Sequence, residues 1–316
     1  MTTSMRIVAA AALALGLLAA AGCKKKSQKV VVGFSQVGAE SSWRTAETKS
    51  IQQEAKKRGY ELKFADGQGK QANQIMAVRS FVNQKVDVIV LAPKTKSGWD
   101  EVLTKAKKAG IPVILVDRGV EVADESLYVT KIASDFVEEG RMAGEWLAKK
   151  MGGKGSVAEL RGNDGADPAI DRKKGFEEAI AKYPGIRIVL SETALFERGE
   201  GKKVMKTFLD SGKKIDAVYA HNDDMALGAI QAIEEKGLKP GKDVVVISID
   251  AVKGAFEAMA AGTLNATVSC DPLLGPLTFD TVEKVLAGEP VPKYIKVQDQ
   301  LFEQSQAAKL LPTRKY

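Results

Sequence analysis

From residue 29 onward, short apolar runs of strand length alternate with segments whose apolar positions recur at helical spacing. The run 30–34 precedes a helix predicted over 43–58 and stopped by Gly59. A strand over 62–65, a helix over 72–83, a strand over 86–91, a helix over 99–109 and a strand over 112–116 follow. The pattern then restarts, with helices over 137–150, 170–182, 202–209 and 225–236 leading to strands over 156–160, 186–191, 217–220 and 244–249. Continuous Val/Ile runs, as opposed to alternating ones, predict strands covered on both faces, hence parallel sheets with helices on each side. Two successive βα series predict an α/β protein of two doubly wound lobes. The tail from Ala266 to Tyr316 is too short for a third lobe. It offers a strand at 266–269, a helix at 277–286 and extended pieces able to complete both sheets, so the chain passes between the lobes more than once.

The segment before residue 29 has a different pattern. Arg6 precedes an apolar run over 7–21, and Gly22-Cys23 closes it before Lys24-Lys25-Lys26. The run is shorter than the ~20 residues a membrane-spanning helix needs and has the order of an export signal. Ala20-Ala21-Gly22-Cys23 resembles the bacterial lipobox, with Ala20 where that motif usually has Leu; it implies cleavage before Cys23 and lipidation of its thiol. The expected location is the periplasm or cell envelope, with a lipid anchor in a membrane. Cys270 would then be a lone thiol.

Composition narrows the function classes. The 316 residues suit two domains, with 45% hydrophobic and 28% charged positions, as in ordinary soluble proteins. Of the net +7, four charges sit at Lys24, Lys25, Lys26 and Lys29, so no basic face is left to hold nucleic acid. One histidine and two cysteines make a zinc site unexpected, and neither metal nor cofactor is expected.

Candidate chemistry collects where strands end, because in doubly wound folds the loops after the strands face the crevice. After the first strand come Ser35, Glu40, Ser42, Trp43 and Arg44, a set able to donate, accept and stack; equally, Ser42 can cap the helix and Trp43 can pack within its own lobe. Asp117-Arg118 directly follows Pro-Val-Ile-Leu-Val and has no helix to cap. In the second series stand Asn163, Arg172 one turn into its helix, Phe196, and Asp250 at the exit of an apolar strand. In His221-Asn222-Asp223-Asp224 one acid can cap the helix and leave Asn222 free to donate and accept. Carboxylates, arginines, an asparagine and aromatic faces are chemistry for a small neutral polyol: each hydroxyl donates and accepts, and a ring's C–H face lies on Trp or Phe. Charge-assisted hydrogen bonds are roughly twice as strong as neutral ones.

The segments Gly33-Phe34-Ser35-Gln36-Val37-Gly38, Ala65-Asp66-Gly67-Gln68, Asp171-Arg172-Lys173-Lys174-Gly175-Phe176 and Ala220-His221-Asn222-Asp223-Asp224-Met225, with Glu40, Trp43 and Arg44, carry a resemblance. They resemble the periplasmic sugar-binding proteins of bacterial ABC transporters, the galactofuranose-binding subgroup above all. Ile132-Ala133-Ser134-Asp135 and the Asn222 and Asp250 segments are similar to the ribose-binding type. The resemblance implies type I periplasmic-binding-protein lobes joined by a three-segment hinge, a monomer that delivers a monosaccharide to a membrane permease. It divides the chain into a signal peptide 1–22, a tether 23–29, a first lobe of 30–132 plus 270–296 and a second of 133–269 plus 297–316. The sugar-contact role passes to Ser35, Glu40, Trp43, Arg44, Asp117, Arg118, Asn163, Arg172, Phe196, Asn222 and Asp250. Cys270 stands where ribose-type relatives place a glutamine at the third hinge crossing, and Ile249 where an aromatic commonly precedes the cleft aspartate. Both departures, and Trp43-Arg44 in place of paired phenylalanines, argue against ribose pyranose.

Other functions fit the sequence less well. A hydrolase would want a Gly-x-Ser-x-Gly elbow with a histidine, and a dinucleotide enzyme Gly-x-Gly-x-x-Gly after the first strand; neither is present. Gly152-Gly153-Lys154-Gly155 precedes a strand and reads as a helix stop. A sugar-responsive repressor would begin with a helix-turn-helix where this chain has an export signal. A receptor that hands its sugar to a chemotaxis protein would share the same binding site.

Overall fold

The structure, a computed structural model, describes residues 29–316. The export segment and Cys23 lie outside the described residues. The first sheet holds β1 (Val31–Gln36), β2 (Glu61–Asp66), β3 (Val88–Leu91), β4 (Val113–Val116), β5 (Thr130–Ser134) and β11 (Tyr294–Val297), in the order β11-β5-β4-β3-β1-β2. All its pairs are parallel. The second sheet repeats the plan with β6 (Lys154–Arg161), β7 (Gly185–Thr193), β8 (Ala217–Ala220), β9 (Val245–Asp250), β10 (Ala266–Ser269) and β12 (Leu301–Glu303), ordered β12-β10-β9-β8-β6-β7. Only β12 is antiparallel.

Helices α1 (Ser42–Arg58), α2 (Gln71–Asn83) and α3 (Asp100–Lys108) cover the first sheet, joined by α9 (Gly275–Leu286) against α1. The second sheet carries α4 (Phe136–Lys150), α5 (Asp167–Ile180), α6 (Arg198–Asp210), α7 (Asp223–Glu235), α8 (Lys253–Ala261) and α10 (Gln304–Leu310). The first lobe shows why its strands are apolar without interruption. Ile89, Leu91, Val113 and Leu115 pack on one face with Phe81, Trp99 and Leu103. Val88, Val90, Ile114 and Val116 pack on the other with Ile51 and Phe279. Successive side chains point to opposite faces, and here both faces are dry.

The chain crosses between lobes three times: after Ser134, after Ser269 and after Val297. Cys270 therefore stands at the second crossing in chain order, not the third. Strand β5 and helices α8 and α10 were not read from the pattern. Thr130 and Lys131 dilute the apolar run of β5, and α8 and α10 are only 9 and 7 residues long.

Within the second lobe α4 and α5 touch backbone to backbone. A Cβ at Gly140 would lie 2.1 Å from the Arg172 carbonyl oxygen, and one at Gly175 1.9 Å from that of Val137. The two glycines set how far α5, and with it Arg172, projects toward the first lobe.

Candidate functional site

On the first lobe the loop after β1 delivers Glu40 and turns into α1. Ser41, in extended backbone, caps that helix by accepting the Arg44 N–H at 3.1 Å. The cap is thus Ser41 and not Ser42, whose own N–H and hydroxyl reach across to Asp224 of the second lobe. Capping fixes the first turn, so Arg44 projects from it with its fork fully engaged: Nε to Glu40 at 3.2 Å, one terminal nitrogen to Glu47, the other to Asp117 at 2.7 Å. Arg118 adds a second guanidinium, 3.4 Å from Asp117 and 3.5 Å from Glu40. Burial tends to raise the Glu40 carboxyl, but the Arg44 and Arg118 charges outweigh it and hold Glu40 below the usual carboxylate range. Glu40 Oε2 is buried and makes no hydrogen bond among the described residues.

The second lobe answers with Arg172, Phe196, Asn222 and Asp250. Glu139 on α4 grips Arg172 Nε at 2.7 Å, and the His221 carbonyl accepts from another of its nitrogens at 2.6 Å. Its remaining terminal nitrogen stands 3.5 Å from Asp250. Burial pushes the Asp250 carboxyl well above its usual range, against the pull of Arg172 and with further push from Asp223 and Glu139. Asn222, expected to be free, is itself the cap of α7: its Oδ1 accepts the Met225 N–H at 3.0 Å and its Nδ2 donates to the Phe196 carbonyl at 3.2 Å. Neither acid beside it caps: Asp223 is fully buried, accepting from Ser248, Thr267 and the Val252 N–H, and Asp224 accepts from Ser42.

Backbone strain concentrates at the same strand ends. Asp117, Phe196 and Asp250 have φ of 61°, 63° and 124°, a region that L side chains rarely adopt. Each such residue costs ~1–3 kcal/mol and persists only where its surroundings over-determine it. The consequence is that a carboxylate, a ring and a second carboxylate turn into the gap between lobes.

That gap is a narrow slot lined by Glu40, Ser41, Trp43, Arg44, Asp117 and Arg118 from the first lobe and Pro168, Arg172, Phe196, Asn222 and Asp250 from the second. Three guanidinium groups and three carboxyl groups line it, two of each from the first lobe and one of each from the second. The Arg118 guanidinium lies 5.3 Å from the Phe196 ring centre, joining the two walls. Trp43 packs against the second lobe's core, not its own, and its Nε1 donates to the Cys270 carbonyl at 2.6 Å.

Two expected residues fall outside the lining. Ser35 is buried within β1, one step below the loop. Asn163 is half-buried beyond the end of β6, where its carbonyl accepts the Ala166 N–H. Two lining residues were not anticipated, and each carried a signal: Ser41 as a helix-capping serine and Pro168 as the proline favoured in a first helical turn.

Comparison with known proteins places this geometry. Residues 32–290 match the family model described as a periplasmic binding protein domain. The galactofuranose-binding protein YtfQ of Escherichia coli is 53% identical over 81% of this chain and 81% of its own. The arabinose-transporter binding protein of Shewanella sp. ANA-3, bound to α- and β-L-arabinofuranose, superposes with a TM-score of 0.88 at 51% identity, covering 90% of this chain and 95% of that one. A Mycobacterium smegmatis protein in complex with β-D-fucofuranose gives 0.89 at 51% identity, covering 91% and 95%. With two doubly wound lobes, three crossings and a slot at their strand ends, the chain belongs to the periplasmic binding protein family.

Proposed function

We propose that the protein captures a neutral monosaccharide, in furanose form, in the slot between its lobes and delivers it to the permease of an ABC transporter without altering it. The observation that carries this reading is the lining itself: three arginines and three carboxyl groups, contributed by both lobes, with the Phe196 ring and Trp43 beside them. Sugar hydroxyls pair with such groups in both directions, and the unpartnered Glu40 Oε2 is an acceptor in waiting. An absent or inverted hydroxyl would leave a buried charge unpaired, at ~1–3 kcal/mol or more. The names of the relatives, bound to arabinofuranose and fucofuranose or named for galactofuranose, support a five-membered ring.

Binding and closure are coupled in this reading. Sugar meets one lobe first, and only the closed form supplies both sets of bonds, so ligand shifts the population toward closure by its differential affinity. The permease then reads the closed shape. The export segment and Cys23 support a place at the periplasmic face of a membrane, held there by a lipid. The protein acts there as a monomeric binding component and not as an enzyme. A thermal-shift screen of the delipidated protein against pentoses and hexoses tests the proposal. A ligand that binds only the folded state at 100 times its Kd adds ~2.7 kcal/mol of stability. The expected result is a clear rise in Tm with furanose-forming aldoses; no rise with any sugar overturns it.

A further inference from the structure

Two carboxylates of the second lobe are committed to the first, and neither lines the slot. Asp167, 2% exposed at the start of α5, accepts the Gly119 N–H at 2.8 Å. It also pairs with Lys96 at 3.0 Å and Lys131 at 3.5 Å. Among the described residues every partner of this carboxylate belongs to the first lobe, and the Lys96 N–H adds a backbone bond to the Gly165 carbonyl alongside, at 2.9 Å. Asp224, 5% exposed on α7, takes the Ser42 N–H at 2.8 Å and the Ser42 hydroxyl at 2.7 Å on one oxygen. Arg198, from its own lobe, holds the other oxygen at 2.7 Å. The two contacts flank the slot: Gly119 follows Arg118 and Asp167 precedes Pro168 on one side, while Ser42 follows Ser41 and Asp224 lies two residues past Asn222 on the other.

We infer that Asp167 and Asp224 are latch residues that hold the lobes closed without sugar and thereby set its affinity without touching it. The inference rests on the sugar-capture reading above for its affinity arm alone. These bonds exist only when the lobes meet, and none contains a ligand atom. They therefore lower the free energy of the closed form whether the slot is filled or not. The two sides differ in strength. Lys96 and Lys131 are partly exposed and solvent-screened, so most of the Asp167 contribution comes from the buried Gly119 bond. Asp224 accepts two partly buried bonds from Ser42 and is pre-positioned by Arg198, which removes part of the ordering cost. If the closed form is the one that grips ligand, the apparent Kd is the intrinsic Kd divided by the closed fraction, so whatever opens the latches weakens binding by the same factor.

The test is small-angle scattering of the ligand-free wild type, Asp167→Ala and Asp224→Ala, followed by sugar titration of each. The expected result is a larger radius of gyration in both ligand-free variants, returning to the wild-type value when saturated with L-arabinose or D-galactose. Each loss of charge-assisted bonds should raise Kd roughly tenfold to a hundredfold, mainly through faster release. Should either aspartate variant fold poorly, Ser42→Ala removes the hydroxyl bond to Asp224 from the opposite lobe, and Lys96→Ala/Lys131→Ala removes the ion pairs of Asp167 with a smaller gain in radius expected because the Gly119 bond stays. Equal ligand-free radii in wild type and variants would overturn the latch, and enlarged radii with unchanged Kd would overturn its control of affinity. A wild type that binds no sugar would sink the functional reading instead, and the ligand-free scattering would still decide the latch.

Discussion

At the scale of single residues, the site works by over-determination. Arg44 answers three carboxylates and Arg172 is fixed by Glu139 and a carbonyl, so neither guanidinium has freedom to lose when a ligand arrives. Removing Asp250 or Arg118 deletes a slot contact while the partners left behind keep others. Asp250→Ala and Arg118→Ala should therefore abolish calorimetric sugar binding with circular dichroism unchanged; near-normal affinity in both would remove these residues from the site. Buried carboxylates also give stability a definite pH dependence. Burial raises Glu47 and Asp223 to about 7 and Asp299 to about 8. A folded-state pKa above the unfolded one means the folded chain binds more protons, so stability is fully present at acid pH and falls as pH rises through the folded value. His221, pushed down by burial, acts in the opposite sense below about 6.5, the ordinary histidine value, and adds nothing above it. Tm should thus fall between about pH 6.5 and 8, and Asp299→Asn should flatten the upper part of that fall; a Tm that rises across this range would contradict the assignment.

At the scale of elements, position is set by strand ends and helix starts. Ser41 and Asn222 cap α1 and α7 from opposite walls of the slot, so the same residues end the loops and aim the chemistry. The contact between α4 and α5 does the same for Arg172. Gly140→Ala would drive a methyl into the Arg172 carbonyl, forcing the helices apart at a cost of ~1–3 kcal/mol and shifting that guanidinium from Asp250. A lowered Tm together with weakened sugar binding is expected, and an unchanged Tm would show that the helices yield freely. Much at this scale was legible in the sequence. Uninterrupted Val/Ile runs such as 88–91 and 113–116 give buried parallel strands because nothing else buries both faces of a strand. Asp117, Arg118 and Asp250 stood out because charges directly after such runs have no local role. What sequence could not settle was competition between neighbours: whether Ser41 or Ser42 caps, and whether Asn222 or the acids beside it does. Those outcomes depend on partners distant in sequence, Asp224 for Ser42 and Ser248 and Thr267 for Asp223.

At the scale of the whole molecule, the three crossings and the repeated sheet order make one slot from two lobes, so a ligand that touches both couples its own binding to their approach. This level was legible only in part. The repeat of the βα series announced two lobes, and the short tail announced several crossings. Which side chains meet across the gap is a property of closure that no local pattern encodes, and so Trp43 was expected within its own lobe or in the slot, while in fact it also inserts into the opposite core. The most direct test of the central claim is a calorimetric titration of the delipidated protein with L-arabinose and with D-galactose, followed by recovery of the sugar. The account predicts one saturable event per chain, lost in Asp250→Ala, with the sugar returned unchanged. No saturable heat from either sugar, or a chemically altered product, would contradict it.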